Sequence, residues 1–302
     1  MKKKSWLDVK IENADSEELR ELGEKIDTRL FGEDETKDEE LKDFVHVGEL
    51  EEEAKVYVQN WGKMQGLSTG LKAVDYNMRG LVGGELTILA GETSNGKTAL
   101  GVNIAANVAK AGHTVLFVTL EITQVQLTAR LMKVLDGTPL TEVPLIMQKK
   151  DELDWRDVDK VVAAAKENGA ELVIIDHLHY FTREVDKIAE DLGRITKQFK
   201  KNAIRHNIPI ILISHVRKKT NNVGKKPELS NDALRGSSLI AQDADIVMFV
   251  HKVGDDKVIV KTTKNRNRGF NFENDTTSLE FTDGAVMRDV RSAYQDVFKD
   301  QK

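Results

Sequence analysis

The octet Gly91-Glu92-Thr93-Ser94-Asn95-Gly96-Lys97-Thr98 follows directly on the apolar run Leu86 to Ala90 and leads directly into a helical pattern that starts at Ala99. A G-x-x-x-x-G-K-T between a strand and a helix constrains the fold more than any other feature of this chain. Its glycines let consecutive backbone N–H groups close around phosphate oxygens at a helix N-terminus. The spacing then assigns Lys97 to the β- and γ-phosphates of ATP and the Thr98 hydroxyl to Mg²⁺, with Gly91, Ser94, Asn95, Gly96 and Ala99 completing the cradle. Such a loop belongs at the carboxyl end of a strand in a parallel sheet.

The rest of the chain agrees with that placement. Apolar runs at Leu86 to Ala90, Val115 to Leu120, Leu172 to Ile175, Ile208 to Ile213 and Ile246 to Val250 read as buried strands. Helical patterns at Ala99 to Ala111, Thr123 to Leu135, Trp155 to Asn168 and Lys187 to His206 alternate with them. The expected class is α/β, with a mostly parallel central sheet covered on both faces. After Val250 the pattern changes to Lys257 to Thr263 and Thr277 to Phe281, short strands with polar turns that predict a C-terminal antiparallel hairpin.

Three further groups fall at expected strand ends. Leu172-Val-Ile-Ile-Asp176 is an apolar strand closing on a carboxylate, the Walker B arrangement in which the aspartate holds the nucleotide's Mg²⁺. Glu121 follows the Val115 to Leu120 strand and is the candidate general base for an attacking water, with Glu92 as its rival and helix capping as its structural alternative. His215, after Ile208 to Ser214, is a candidate sensor of the γ-phosphate; the plainer alternative is an ordinary loop histidine.

Composition excludes several classes. Hydrophobic residues make up 40% and charged residues 31% of the 302-residue chain, which has no apolar run near the ~20 residues of a membrane span. The basic Met1 to Lys4 is followed by the acidic segment Asp8 to Glu18, so export is not expected. Without cysteine there are no disulfides or thiolate metal sites, and a cytoplasmic setting is the default, that of a bacterial host if the source is a phage. The net charge is −5, yet bases cluster from Arg205 to Lys226, at Arg217, Lys218, Lys219, Lys225 and Lys226, where a polyanion would bind. The first 65 residues read as an acidic arm. Leu19, Leu22, Ile26 and Leu30 mark one amphipathic helix over about 17–31, followed by a polar linker, and the main domain is expected over 66–302.

Taken as a set, these residues resemble the DnaB-like hexameric helicases, relatives of the RecA ATPases, from about Gly66 to Arg288. Gly66-Leu-Ser-Thr-Gly70 with Asp75 and Gly80-Leu-Val-Gly-Gly-Glu85 looks like the family's segment before the P-loop. Thr119-Leu-Glu121-Ile-Thr123 followed by Arg130 looks like the motif carrying its catalytic glutamate, which places Arg130 at the nucleotide. Leu234 to Ser238 running into Gln242 to Asp245 resembles its DNA-contacting motif, and Lys264-Asn265-Arg266 resembles its lysine and arginine fingers.

The resemblance implies a RecA-like P-loop ATPase core with an N-terminal linker helix, assembled as a homohexamer. Lys264 and Arg266 would reach a neighbour's ATP site, although Arg268 competes for the finger role. Arg217, Lys218, Lys219, Arg235, Gly236 and Ser238 would line a channel for single-stranded DNA, gripping its backbone without base stacking because no aromatic residue lies between Val216 and Leu239. Motion from 5′ to 3′ and partnership with a primase and a helicase loader are implied in the same way. Many members carry glutamine where this chain has His215, whereas the mitochondrial and T7-like branch resembles the Ser214-His215-Val216-Arg217-Lys218 seen here, and Gly236 stands where a glutamate is common. A RecA- or RadA-like recombinase and a KaiC-like ATPase remain alternatives on the same fold.

Overall fold

The computed structural model describes residues 45–59, 66–148, 153, 157–181, 188–216, 238–266 and 276–290. The chain separates into Met1–Trp61 and Gly62–Lys302. In the first unit a short 3-10 turn, Val47–Leu50, leads into helix α1, Glu51–Gln59. Three glutamates in its first turn favour the positive end of the helix dipole, and Lys55 pairs with Glu51 and Glu52, both at 2.8 Å. The expected helix at 17–31 lies outside the described residues.

The second unit is built on one nine-stranded sheet in the order β3-β2-β4-β5-β1-β6-β7-β8-β9. Its strands are β1 Leu86–Gly91, β2 Val115–Thr119, β3 Leu145–Met147, β4 Leu172–Asp176, β5 Ile210–His215, β6 Ile246–Val253, β7 Lys257–Asn265, β8 Thr276–Thr282 and β9 Val286–Asp289. From β3 to β6 every pairing is parallel, and β6 to β9 are antiparallel. Every residue of β1, β2 and β4 is buried, which is why their apolar runs are continuous rather than alternating.

Helices cover both faces, as the alternation of patterns predicts. On one side lie α2 Lys72–Met78, α3 Lys97–Lys110 and α4 Gln124–Leu135; on the other lie α5 Val158–Glu167, α6 Ile188–His206 and α7 Ser238–Asp243. Leu192, Ile195, Phe199 and Ala203 form the buried stripe of α6 at helical spacing. Gly101 lets α3 close on the sheet, since a Cβ there would come within 2.9 Å of Ile213 Cδ1. No helix among the described residues is long and apolar enough to cross a membrane.

The antiparallel end is larger than the predicted hairpin, because β6 itself turns back into β7 and two more strands follow. Side chains hold this end to the helices. Asn103 on α3 donates to the Ala285 carbonyl at 2.7 Å and accepts from Met287 N–H at 2.9 Å. Asp289 accepts from the Lys72 and Ala73 amides and so caps α2 from a strand 216 residues away. The segment ahead of the P-loop closes through a bridge between Leu67 and Leu81, with the Asp75 carboxylate accepting from Ser68 and Thr69. Gly66 packs so closely there that a Cβ would fall 2.1 Å from the Leu81 carbonyl oxygen.

Candidate active site

Register brings the predicted strand-end residues together. In the parallel pairing of β1 and β5, Gly91 sits opposite His215; in that of β2 and β4, Thr119 sits opposite Asp176; and Asp176 sits opposite Ile213 of β5. The P-loop, Glu121, Asp176 and His215 therefore share the crevice at the carboxyl ends of β1, β2, β4 and β5.

Within the loop, Ser94 and Gly96 take left-handed backbone angles, φ 66° and 89°, turning successive N–H groups toward the mouth of α3. Gly91 is glycine for a tertiary reason as well: a Cβ there would lie 2.5 Å from the Val250 carbonyl oxygen of β6. Asn95 donates its backbone N–H to the Glu92 carbonyl at 3.3 Å, and Ala99 lies in the first turn of α3. Lys97 is buried, with Nζ donating to the Glu92 carbonyl at 2.8 Å and lying 3.2 Å from His215 Nδ1. Burial lowers its pKa, while the charges of Glu121, Asp176 and Glu92 oppose that shift.

Asp176 is fully buried, and neither carboxylate oxygen makes a hydrogen bond of good geometry, although the Thr98 hydroxyl lies close enough to act on the carboxylate. Burial lifts its pKa from 3.8 to about 6, aided by Glu121 and opposed by the Thr98 hydroxyl, Lys97 and the exposed Arg130 of α4. Two orphaned oxygens beside a threonine hydroxyl suit a hard divalent cation, so Thr98 and Asp176 fit the Mg²⁺ expected with a nucleotide. The raised pKa also affects stability. The folded chain holds this proton more tightly than the unfolded one, so the site costs nothing below pH 3.8 and progressively more as pH rises through 6. Above that range the ionised carboxylate destabilises the nucleotide-free fold by about 3 kcal/mol. Asp176→Asn is accordingly expected to raise the melting temperature by several degrees at pH 8, with the gain shrinking toward pH 5. An equal or lower melting temperature at pH 8 would contradict this account.

Glu121 sits in the turn between β2 and α4, its side chain 30% exposed and its Oε2 3.7 Å from His215 Nε2. That turn is tightly held. The Gln148 side-chain amide accepts from Thr119 N–H at 3.1 Å and donates to the Thr119 carbonyl at 2.5 Å, extending the β2–β3 pairing by a side chain, and Gln124 donates to the Gln148 carbonyl. Thr123 and Gln126 form a reciprocal capping box at the start of α4.

Two residues join the site that sequence reasoning missed. Gln148 leaves no trace in sequence, since its partner Thr119 lies 29 positions away. His177 could have been suspected from Asp176-His177-Leu178-His179 directly after the Walker B strand. Its ring packs edge-on to His215 at 4.2 Å between centroids and against Tyr180 at 4.8 Å, and its Nε2 is 4.0 Å from Glu121 Oε2. Burial, with help from His215, His179 and Lys97, drives the His177 pKa down to about 3, so its imidazole is neutral. His215 is shifted in the same direction, by burial and then Lys97, against Glu121.

Lys264 and Arg266 lie elsewhere. Ile246 pairs with Thr87 of β1 and with Asn265 of β7, so both cations sit at the amino end of β1 while the P-loop leaves its carboxyl end. Five strand steps, about 16 Å, separate the two ends. Lys264 Nζ donates to the Ala241 carbonyl at 2.6 Å and the Gln242 carbonyl at 3.1 Å, and Arg266 donates to the Gln242 carbonyl at 2.5 Å. Buried Asp245 anchors this corner, accepting from Lys200 at 2.6 Å and from Leu86 N–H at 2.8 Å, with Arg266 at 3.8 Å. Of the expected DNA contacts, Arg217, Lys218, Lys219, Arg235 and Gly236 lie outside the described residues, and Ser238 opens α7.

A family model for the AAA domain matches residues 52–221, more than half of the chain. The chain belongs to the AAA-domain family. Among curated relatives, this AAA-domain protein is 30% identical over 219 residues to the "Probable replicative DNA helicase" of Trieres chinensis, covering 63% of this chain and 48% of that protein. It is 25% identical over 216 residues to the "Probable plasmid replicative DNA helicase" of Chlamydia psittaci, covering 63% and 47% respectively. The chain thus spans about half the length of the curated relatives it matches. A solved DnaB-like replicative helicase, described with its interactions with primase, superposes with a TM-score of 0.68 at 18% identity, over 90% of this chain and 74% of that one. That likeness establishes the RecA-like P-loop fold of this AAA-domain protein.

Proposed function

We propose that this AAA-domain chain is the ATP-hydrolysing motor of a replicative DNA helicase, working as a homohexameric ring that moves 5′ to 3′ on single-stranded DNA. One observation carries the reading. The P-loop, Asp176, Glu121 and His215 meet at one end of the sheet while Lys264 and Arg266 stand at the other, away from their own chain's P-loop, which supports a finger role toward another copy's site. The similarity to replicative helicases favours a DNA motor over a recombinase or a signalling ATPase.

In this mechanism the P-loop amides and Lys97 hold the ATP phosphates, with Arg130 facing the nucleotide from α4. Mg²⁺, held through Thr98 and Asp176, would neutralise charge on the phosphate oxygens. Glu121 takes a proton from water as its oxygen attacks the γ-phosphorus, and the bond to the β-phosphate oxygen breaks to leave ADP and phosphate. A neighbour's Arg266 and Lys264 stabilise the charge that develops. Loss of the γ-phosphate frees His215, two residues before the basic stretch at Arg217, Lys218 and Lys219. That stretch, with Arg235, Gly236 and Ser238, holds the DNA backbone. A primase and a helicase loader are the expected partners, in the cytoplasm.

ATP hydrolysis measured with and without single-stranded DNA, alongside unwinding of forks with either a 5′ or a 3′ tail, tests this reading. Stimulated hydrolysis with unwinding that needs the 5′ tail is expected. Stimulation without unwinding would favour a recombinase, and no stimulation would defeat the DNA-motor reading.

Gln148 has a predicted effect of its own. Gln148→Ala frees the turn that aims Glu121, so kcat is expected to fall by about ten- to a hundredfold while nucleotide affinity stays unchanged. An unchanged kcat would remove Gln148 from the mechanism.

A further inference from the structure

We propose that Glu121, His177 and His215 form a seat for a divalent transition-metal ion of the zinc or cobalt class, separate from the Thr98 and Asp176 oxygens suited to Mg²⁺. One ligand atom from each residue lies within 4.8 Å of the other two. Glu121 Oε2 is 3.7 Å from His215 Nε2 and 4.0 Å from His177 Nε2. A tetrahedral ion with bonds of about 2.0–2.1 Å holds its ligand atoms roughly 3.3 Å apart, so Glu121 needs to draw in by less than about 1 Å, and the two imidazole nitrogens, within 4.8 Å of each other, close by up to about 1.5 Å through ring rotation.

The donor set selects the ion. Two imidazoles and one carboxylate suit zinc, cobalt and their neighbours, whereas Mg²⁺ prefers an octahedron of oxygens. His177 is 92% buried, and its ring is clamped between Tyr180 and His215 with Nε2 4.0 Å from Glu121 Oε2. At His215 the tautomer must change. Lys97 donates toward Nδ1 from 3.2 Å, which leaves the ring proton on Nε2. Metal binding moves that proton to Nδ1, which then donates to Thr93 Oγ1 at 3.4 Å, while Lys97 loses its acceptor on the ring, turns away from it and keeps its 2.8 Å bond to the Glu92 carbonyl. No proton is lost overall.

Occupancy would tie up Glu121 and His215 together and so arrest hydrolysis. That consequence rests on the proposed motor function; the binding itself does not. The test is titration of Co²⁺ into the nucleotide-free full chain in excess Mg²⁺, read by visible absorption. One equivalent per chain is expected, displaced by Zn²⁺ and weakened at least tenfold by each of Glu121→Gln, His177→Gln and His215→Gln, with melting curves confirming that the variants fold. His113→Gln, at the exposed His113–Glu171 pair, should leave it unchanged. Absence of Co²⁺ binding, or binding that survives all three substitutions, overturns the site. Co²⁺ binding without inhibition of ATPase activity would keep the site and count instead against Glu121 as the base.

Discussion

Arg266→Ala is expected to lower ATP hydrolysis by about 10³ to 10⁵-fold, because an arginine finger stabilises charge that exists only in the transition state. The more decisive result concerns which subunit it serves. Arg266 emerges at the amino end of β1, where it is parked on the Gln242 carbonyl and beside Asp245, and the P-loop of its own chain leaves the opposite end of the same strand. Mixing Arg266→Ala with Lys97→Ala, each inactive alone, should therefore restore hydrolysis at interfaces where an intact P-loop meets an intact finger. Failure to recover activity from mixed subunits that assemble together would rule out action between subunits. If Arg268 is the finger instead, Arg266→Ala will keep most of its activity and Arg268→Ala will not.

Glu121→Gln should reduce the rate of the chemical step by about 10²- to 10⁴-fold while leaving nucleotide binding intact, since the amide keeps the shape of the side chain but cannot accept a proton. The carboxylate stands 3.7 Å from His215 on a turn held by Gln148 and the Thr123 capping box, so the substitution leaves the loop's supports untouched. Single-turnover hydrolysis and nucleotide titration separate the two quantities. Retention of full hydrolysis by Glu121→Gln would transfer the base role to another group, with Glu92 first in line. A parallel loss of nucleotide affinity would mean that Glu121 helps hold the phosphates rather than activating water.

Much of this was legible without coordinates, for reasons that are local. The octet Gly91 to Thr98 depends on backbone angles and helix-end polarity that neighbouring residues set, and β1, β2 and β4 announce themselves because strands buried on both faces have no polar alternation. Strand-end logic singled out Glu121, Asp176 and His215, and the structure sets Asp176 and His215 at neighbouring strand ends with Glu121 Oε2 3.7 Å from His215 Nε2. Short elements escaped: β3 has three residues and β9 four, too few for a period to show, and α7 has six.

The sequence by itself determined the chemistry available, a phosphate loop, a buried carboxylate and bases grouped after His215, because these follow from residue type and near-neighbour spacing. Tertiary structure alone decided the relations among distant residues. It set Gly91 against the Val250 carbonyl, pinned the Glu121 turn with Gln148, brought His177 beside His215, and stationed Lys264 and Arg266 at the far end of the sheet. Each of these depends on which strands pair and in what register, and that is settled by packing across the whole sheet rather than by any stretch of chain.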